Sequence, residues 1–119
     1  DGDGAAIMHL GGMTAIGTSE IGNLLHIVLN NGTHDSVGGQ PTVANKISFT
    51  GIARACGYNA VVGPLVDKSD IEMQFGNLLN VAGQRFLELS VRPGSRNDLG
   101  RPHDSPRITK TKFVAQLRI

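Results

Sequence analysis

A short apolar run from Leu24 to Leu29, interrupted only by His26, is the sequence feature that most restricts the fold. Such a run fits a strand that is covered on both faces, as in a parallel sheet flanked by helices. Two later segments, Ala60 to Val62 and Arg85 to Val91, also predict strands. Because helical patterns separate these strands, we expect an α/β protein, a three-layer sandwich with a mostly parallel sheet.

The helical patterns have recognisable starts and stops. Gly11 and Gly12 weaken the first, and Ser48 is a candidate N-cap of the second. The predicted helices are Ala5 to Gly17, Ser48 to about Cys56, one starting in a capping box at Ser69 to Glu72, and a terminal one after Ser105-Pro106. Asn30 to Lys46 is predicted to be a long loop, the kind of segment that often carries function.

Composition limits the classes of protein that remain. The chain has 119 residues, enough for one domain, which we assign to residues 1–119. A net charge of +1 gives no case for nucleic acid or an acidic membrane surface as partner. No apolar stretch is long enough to cross a bilayer, and no signal peptide heads the sequence. The single cysteine, Cys56, fits a reducing compartment, so we expect a cytoplasmic protein.

Two polar groups flank the first strand and its preceding helix. Gly2-Asp3-Gly4 supplies a carboxylate between glycines that let the backbone approach a bulky anion, and Asn31 supplies an amide oxygen. Oxygen ligands of this kind suit Mg²⁺ or Ca²⁺, and Mg²⁺ commonly completes its shell with phosphate oxygens and water. Ligands of open α/β sheets bind beyond the carboxyl ends of the strands. The sequence therefore predicts a divalent-metal site at that edge.

Three other interpretations of these motifs are less well supported. An EF-hand loop starting at Asp1 would need a glutamate at its twelfth position, where Gly12 stands. Asn31-Gly32-Thr33 matches a glycosylation sequon, but no secretory feature accompanies it. Asn-Gly can also form a hairpin turn, yet no apolar strand follows Gly32.

The order of Gly-Asp-Gly, helix, strand and Asn-Asn resembles the cofactor motif of thiamine diphosphate enzymes. Asn30 to Thr42 resembles the cofactor loop of phosphonopyruvate decarboxylases and, less closely, that of sulfopyruvate decarboxylases. Gly94 to Pro102 resembles both groups. The resemblance covers nearly the whole chain and implies the diphosphate-binding domain of the thiamine diphosphate-binding fold.

This resemblance implies a role for each matching residue. Asp3 and Asn31 would ligate Mg²⁺ through their side chains, and Thr33 would do so through its backbone carbonyl. Gly2 belongs to the same motif, and the backbone N–H groups of Gly4 and Ala5 would face the diphosphate. Ala5 departs from the pattern, because many relatives carry a hydroxyl residue there.

Other polar residues near these motifs are candidates for catalysis or substrate binding. His34 follows the metal loop and could relay protons near neutral pH, and Asp35 is its neighbour. Arg92, Arg96 and Arg101 cluster in the last loop. Arginine binds carboxylate, phosphonate or sulfonate through a fork of donors. We expect Arg96 and Arg101 to bind the anion of the substrate, although a solvated basic loop is an equally simple interpretation.

The resemblance implies non-oxidative decarboxylation of a 2-oxo acid, with phosphonopyruvate giving phosphonoacetaldehyde. A β-type subunit of sulfopyruvate decarboxylase is the alternative enzyme, and a non-catalytic diphosphate-binding module of the same fold is the alternative outside enzymes. Family members also need a pyrimidine-binding domain, usually from another subunit, so we expect a homo-oligomer. Since the chain begins directly at its motif, we expect a strand and that domain upstream, and an inactive isolated chain.

Overall fold

The computed structural model describes residues 1–94, 96–100 and 102–117. Helices and strands alternate along most of this length. The helices are α1 (Asp3–Met8), α2 (Gly12–Gly17), α3 (Phe49–Ala55), α4 (Lys68–Leu79) and α5 (Pro106–Leu117). The strands are β1 (Leu25–Asn30), β2 (Thr33–His34), β3 (Gln40–Pro41), β4 (Ala60–Leu65) and β5 (Arg85–Ser90), with 3₁₀ turns at Asp35–Val37 and Ala44–Lys46.

The main sheet has three parallel strands in the order β1-β5-β4. Its register places His26 beside Phe86 and Val28 beside Glu88, so these side chains share one face. Gly2 forms a parallel bridge to Leu29, and the Leu29 N–H donates to the carbonyl of Asp1 at 2.8 Å. The first two residues therefore run along β1, and the predicted parallel α/β sheet is confirmed.

Helices cover both faces of the sheet, which gives the predicted three layers. The buried core joins residues of α1, α2 and α3 to β1 and β5, and its members are Ala6, Met13, Val28, Ala44, Phe49, Ala53, Tyr58 and Phe86. Helix α4 lies on the other face, where the Arg85 guanidinium donates to the carbonyl of Leu78 at 3.0 Å. Leu87, fully buried, belongs to that second face.

Some predicted boundaries are wrong, and each error has a local cause. The single helix predicted over 5–17 is two helices, because the backbone of His9, at φ −120° and ψ 35°, leaves the helical conformation, whereas Gly11 itself is helical. The capping box predicted at Ser69 does not form: α4 begins at Lys68, one residue earlier. Strand β4 continues past Gly63-Pro64, through a register shift, to Leu65.

Other predictions are confirmed. Ser48 caps α3, and its hydroxyl accepts a hydrogen bond from the Gly51 N–H at 3.0 Å. Gly57, at φ +93°, follows the end of that helix. Gly32 connects strands of different sheets rather than a hairpin, although a small hairpin of β2 and β3 lies within the predicted loop. No described helix is long and apolar enough to cross a membrane.

Candidate functional site

A buried carboxylate lies at the carboxyl edge of the sheet. Asp3 is the first residue of α1, and only 1% of it is exposed. Its Oδ2 accepts a hydrogen bond from the Thr42 hydroxyl at 2.5 Å, and its Oδ1 accepts a long one from the Asn31 N–H at 3.4 Å. Among the described residues no cation pairs with it. The structure thus places the Asp3 carboxylate beside the backbone of Asn31 at this edge of the sheet.

The loop after β1 is held by bonds among its own side chains. Asn31 Oδ1 accepts from the Thr33 N–H at 3.0 Å, and Asn31 Nδ2 donates to Asp35 at 2.8 Å. The Thr33 hydroxyl donates to the other oxygen of Asp35 at 2.6 Å. Since the Nδ2 bond fixes which end of the amide carries oxygen, Asn31 presents an oriented acceptor with a second lone pair.

Asp35 also joins this loop to the one that follows β5. Its Oδ2 accepts a hydrogen bond from the Gly94 N–H at 2.7 Å. The bonds from Thr33, then Gly94 and Asn31, all favour the charged form and lower the pKa of the Asp35 carboxyl. Asp35 is therefore an ionised, exposed residue whose two oxygens organise both loops.

These residues line one cleft with a volume of about 480 Å³. Every residue predicted from sequence to bind cofactor or to act in catalysis contributes to its wall: Gly2, Asp3, Gly4, Ala5, Asn31, Thr33, His34 and Asp35. Apolar side chains of Met8, Leu29 and Val91 complete it together with Arg92. A larger cavity beside α5 contains none of these groups, so we take the 480 Å³ cleft as the site.

His34 packs directly against the start of α1. A Cβ added to Gly4 would lie 2.4 Å from Nδ1 and 2.5 Å from Cε1 of the His34 ring. Glycine at this position therefore makes room for the imidazole. The Gly-Asp-Gly motif predicts that the backbone here lies close to another group. In the structure that group is the His34 side chain.

The structure places Arg92 and Arg96 differently from the sequence-based expectation. Arg96 donates from Nε and Nη2 to the two oxygens of Asp98, at 2.9 and 2.8 Å, and it does not line the cleft. This hydrogen bonding lowers the pKa of Asp98. Arg101 lies outside the described residues. Among the described arginines, Arg92 is the one that lines the cleft, and its position just after β5 was a signal that could have identified it.

The donor set fits a hard divalent cation. Asp3, Asn31 and the carbonyl of Thr33 offer only oxygen, and a buried carboxylate without a cation is costly unless a metal or hydrogen bonds compensate it. In the described ranges no cluster of three His, Cys, Asp or Glu side chains could hold a metal, so phosphate and water would have to complete the shell. No side chain caps α1, which leaves N–H groups of its first turn without an intrahelical partner.

Comparison with known proteins agrees with these features. The chain is 39% identical to a phosphonopyruvate decarboxylase of Streptomyces viridochromogenes over 97% of its length. It has the same identity to a phosphonopyruvate decarboxylase of Streptomyces hygroscopicus over 95%. The chain is similar to phosphonopyruvate decarboxylases along nearly its whole length. It is also 30% identical, over 99% of its length, to a sulfopyruvate decarboxylase subunit beta of Methanothermobacter thermautotrophicus.

The similarity concerns only part of each relative. The chain spans 29% and 28% of the two phosphonopyruvate decarboxylases and 60% of the sulfopyruvate decarboxylase subunit. No protein-family model matches it. The parallel α/β sheet with its cleft at the carboxyl edge is consistent with the thiamine diphosphate-binding fold that the resemblance implied.

Proposed function

We propose that this chain forms the diphosphate-binding part of a thiamine diphosphate-dependent decarboxylase, a carboxy-lyase that converts 3-phosphonopyruvate to 2-phosphonoacetaldehyde and CO₂. One observation carries the proposal: the buried carboxylate of Asp3, which pairs with no cationic side chain in the described part of the chain, meets the Asn31 loop in a chain 39% identical to proteins named phosphonopyruvate decarboxylase. A divalent metal held by Asp3 and the Asn31 loop would neutralise the carboxylate and would supply the positive charge that a diphosphate needs.

Each residue of the cleft has a proposed task. Mg²⁺ would be held by Asp3, by Asn31 Oδ1 and by the Thr33 carbonyl. Gly2, which has no side chain, would let the backbone come close to the diphosphate. The N–H groups of Gly4 and Ala5, at the uncapped start of α1, would donate to the diphosphate. Bound thiamine diphosphate supplies the carbanion and the electron sink that decarboxylation of a 2-oxo acid requires. The chain anchors and orients that group.

His34 is the proposed proton-transfer residue, because its imidazole lines the cleft and histidine is the side chain that enzymes use most often for general acid–base catalysis. The second catalytic prediction, Asp35, is better supported as a positioning residue. Both of its oxygens already accept hydrogen bonds from the two loops, so it holds the Asn31 amide in place instead of meeting substrate.

A sulfopyruvate decarboxylase subunit is the second candidate. It is favoured by the match to a subunit beta that extends over 99% of the chain and 60% of that relative. The name of that relative implies a second subunit, which supports a partner that brings the pyrimidine-binding domain. A homo-oligomer and a cytoplasmic location remain part of the proposal.

The test has a binding step and a turnover step. Thiamine diphosphate with Mg²⁺ should raise the melting temperature of the chain, whereas ADP with Mg²⁺ should not, and Asp3→Asn should remove the difference. The chain alone should release no CO₂ from phosphonopyruvate, and adding the pyrimidine-binding partner should start release. Equal stabilisation by ADP and by thiamine diphosphate would instead support a non-catalytic diphosphate-binding module.

A further inference from the structure

We infer that Arg92 binds the second anionic group of the substrate, the phosphonate or sulfonate, and so selects 2-oxo acids that carry one. This inference rests on the proposed function, since it assigns a substrate contact within the same cleft. It differs from the sequence-based expectation, which gave the role to Arg96 and Arg101. The position, the charge and the distance from the metal residues support it.

The backbone on either side of Arg92 is fixed to the cleft. On one side, the Val91 N–H donates to the carbonyl of Asn30 at 2.9 Å and extends the pairing of β5 with β1. On the other side, the Gly94 N–H donates to Asp35 at 2.7 Å. Arg92 lies between these two bonds and lines the cleft. Its reach into the cleft is therefore set by the same bonds that organise the Asn31 loop.

Arg92 also differs from the other basic residues in its ion pairing and in its position at the cleft. Of the lysines and arginines in the described ranges, Arg92 is the one that lines the cleft. Within those ranges no carboxylate pairs with its guanidinium, whereas both oxygens of Asp98 occupy that of Arg96. A free guanidinium presents the planar fork of donors that matches a phosphonate or sulfonate.

The distance from Asp3 argues for substrate rather than cofactor diphosphate. Gly2 bridges to β1, and β5 lies on the other side of β1. Asp3 and Arg92 follow segments that are two strand spacings apart, roughly 10 Å. An anion held by a metal at Asp3 would already have its charge compensated there. A separate anion farther from Asp3 would lack this compensation, and the Arg92 guanidinium would supply it.

The experiment uses the complete enzyme, with its pyrimidine-binding part, and three variants: Arg92→Gln, Arg92→Lys and the matched control Arg96→Gln. KM and kcat are measured for phosphonopyruvate and for pyruvate, which lacks the second anion. Arg92→Gln should raise KM for phosphonopyruvate roughly tenfold or more, as expected for loss of a charge-assisted bond, and leave that for pyruvate unchanged. Arg92→Lys should rescue in part, and Arg96→Gln should resemble wild type.

Two binding measurements separate this inference from the proposed function. Titration with thiamine diphosphate and Mg²⁺ should give the same affinity for wild type and Arg92→Gln, and a loss there would overturn the inference by assigning Arg92 to the diphosphate. Titration with 3-phosphonopropanoate, which cannot react, should show weaker binding only to the Arg92 variants. If wild type releases no CO₂, the proposed reaction fails, and this second titration still decides the role of Arg92. Equal binding by wild type and Arg92→Gln would refute it.

Discussion

The carboxylate of Asp35 accepts a hydrogen bond from the backbone N–H of Gly94 at 2.7 Å, joining loops that are 59 positions apart in sequence. The same oxygen also accepts from the Asn31 amide, a proposed metal ligand. A shift of the loop after β5 would therefore move Asp35 and change the position of the Asn31 amide. Residues that orient ligands in this way commonly change metal affinity without touching the metal.

Asp35→Asn should weaken binding of the Mg²⁺–thiamine diphosphate pair by about tenfold or more, within the range seen when a partner of a metal ligand is removed. An amide offers one acceptor oxygen where the carboxylate uses two, so at least one bond to Thr33, Asn31 or Gly94 is lost. Isothermal titration measures the affinity. Asp70→Asn makes the same change at an exposed aspartate outside the cleft and is the control, and an equal loss in both variants would contradict the positioning role.

Thr42→Val should destabilise the chain by about 2 kcal/mol, because it removes a donor from a buried, charged acceptor. The Thr42 hydroxyl bonds to Asp3 Oδ2 at 2.5 Å, and both residues are buried. Urea unfolding gives the free energy of unfolding. Thr50→Val makes the same change at another buried threonine, whose hydroxyl contacts only that of Ser48 among the described groups. Only Thr42→Val should also lower the affinity for Mg²⁺, and equal effects on metal binding would refute the link to Asp3.

Gly4→Ala should displace the His34 ring while barely reducing stability. The new methyl would lie 2.4 Å from Nδ1, but alanine is favoured over glycine in a helix by about 1 kcal/mol, which offsets part of the strain. NMR signals of the His34 ring should shift, and cofactor affinity should fall. Gly12→Ala is the matched control, since it is also a helical glycine and its new Cβ meets no atom within 4 Å. Unchanged His34 signals in Gly4→Ala would contradict the packing.

The sequence predicted the backbone of the site because its signals are local. A continuous apolar run indicated β1. Because Asp3 and Asn31 follow neighbouring parallel segments, both were expected at the carboxyl edge of the sheet. Ser48 and Gly57 likewise act on their own helix, and both predictions held. The break between α1 and α2 was harder to predict, since Gly11 and Gly12 weaken a helix without determining the residue at which it ends.

Side-chain partners across long sequence separations could not be predicted in this way. Thr42 meets Asp3 across 39 positions, and Asp35 meets Gly94 across 59. The local pattern separates Arg92 from Arg96 only by the position of Arg92 just after β5. The difference arises because Asp98 occupies one guanidinium, while the end of β5 directs the other residue to the cleft. Such choices depend on tertiary packing.

The chain should become less stable as the pH falls below 6.5, and His26 should cause part of that loss. Burial lowers the pKa of His26 below 6.5, although Nε2 lies 3.0 Å from the exposed carboxylate of Asp1. We give more weight to burial, because solvent screens that pair. The unfolded chain then binds more protons than the folded chain in this range, so the free energy of unfolding rises with pH until His26 is neutral in both states. His26→Asn should flatten this dependence between pH 5 and 7 in urea unfolding, whatever stability it loses with the contact to Phe86. His9→Asn, at an exposed position, should keep the wild-type slope, and a wild-type slope in His26→Asn would show that other groups control it.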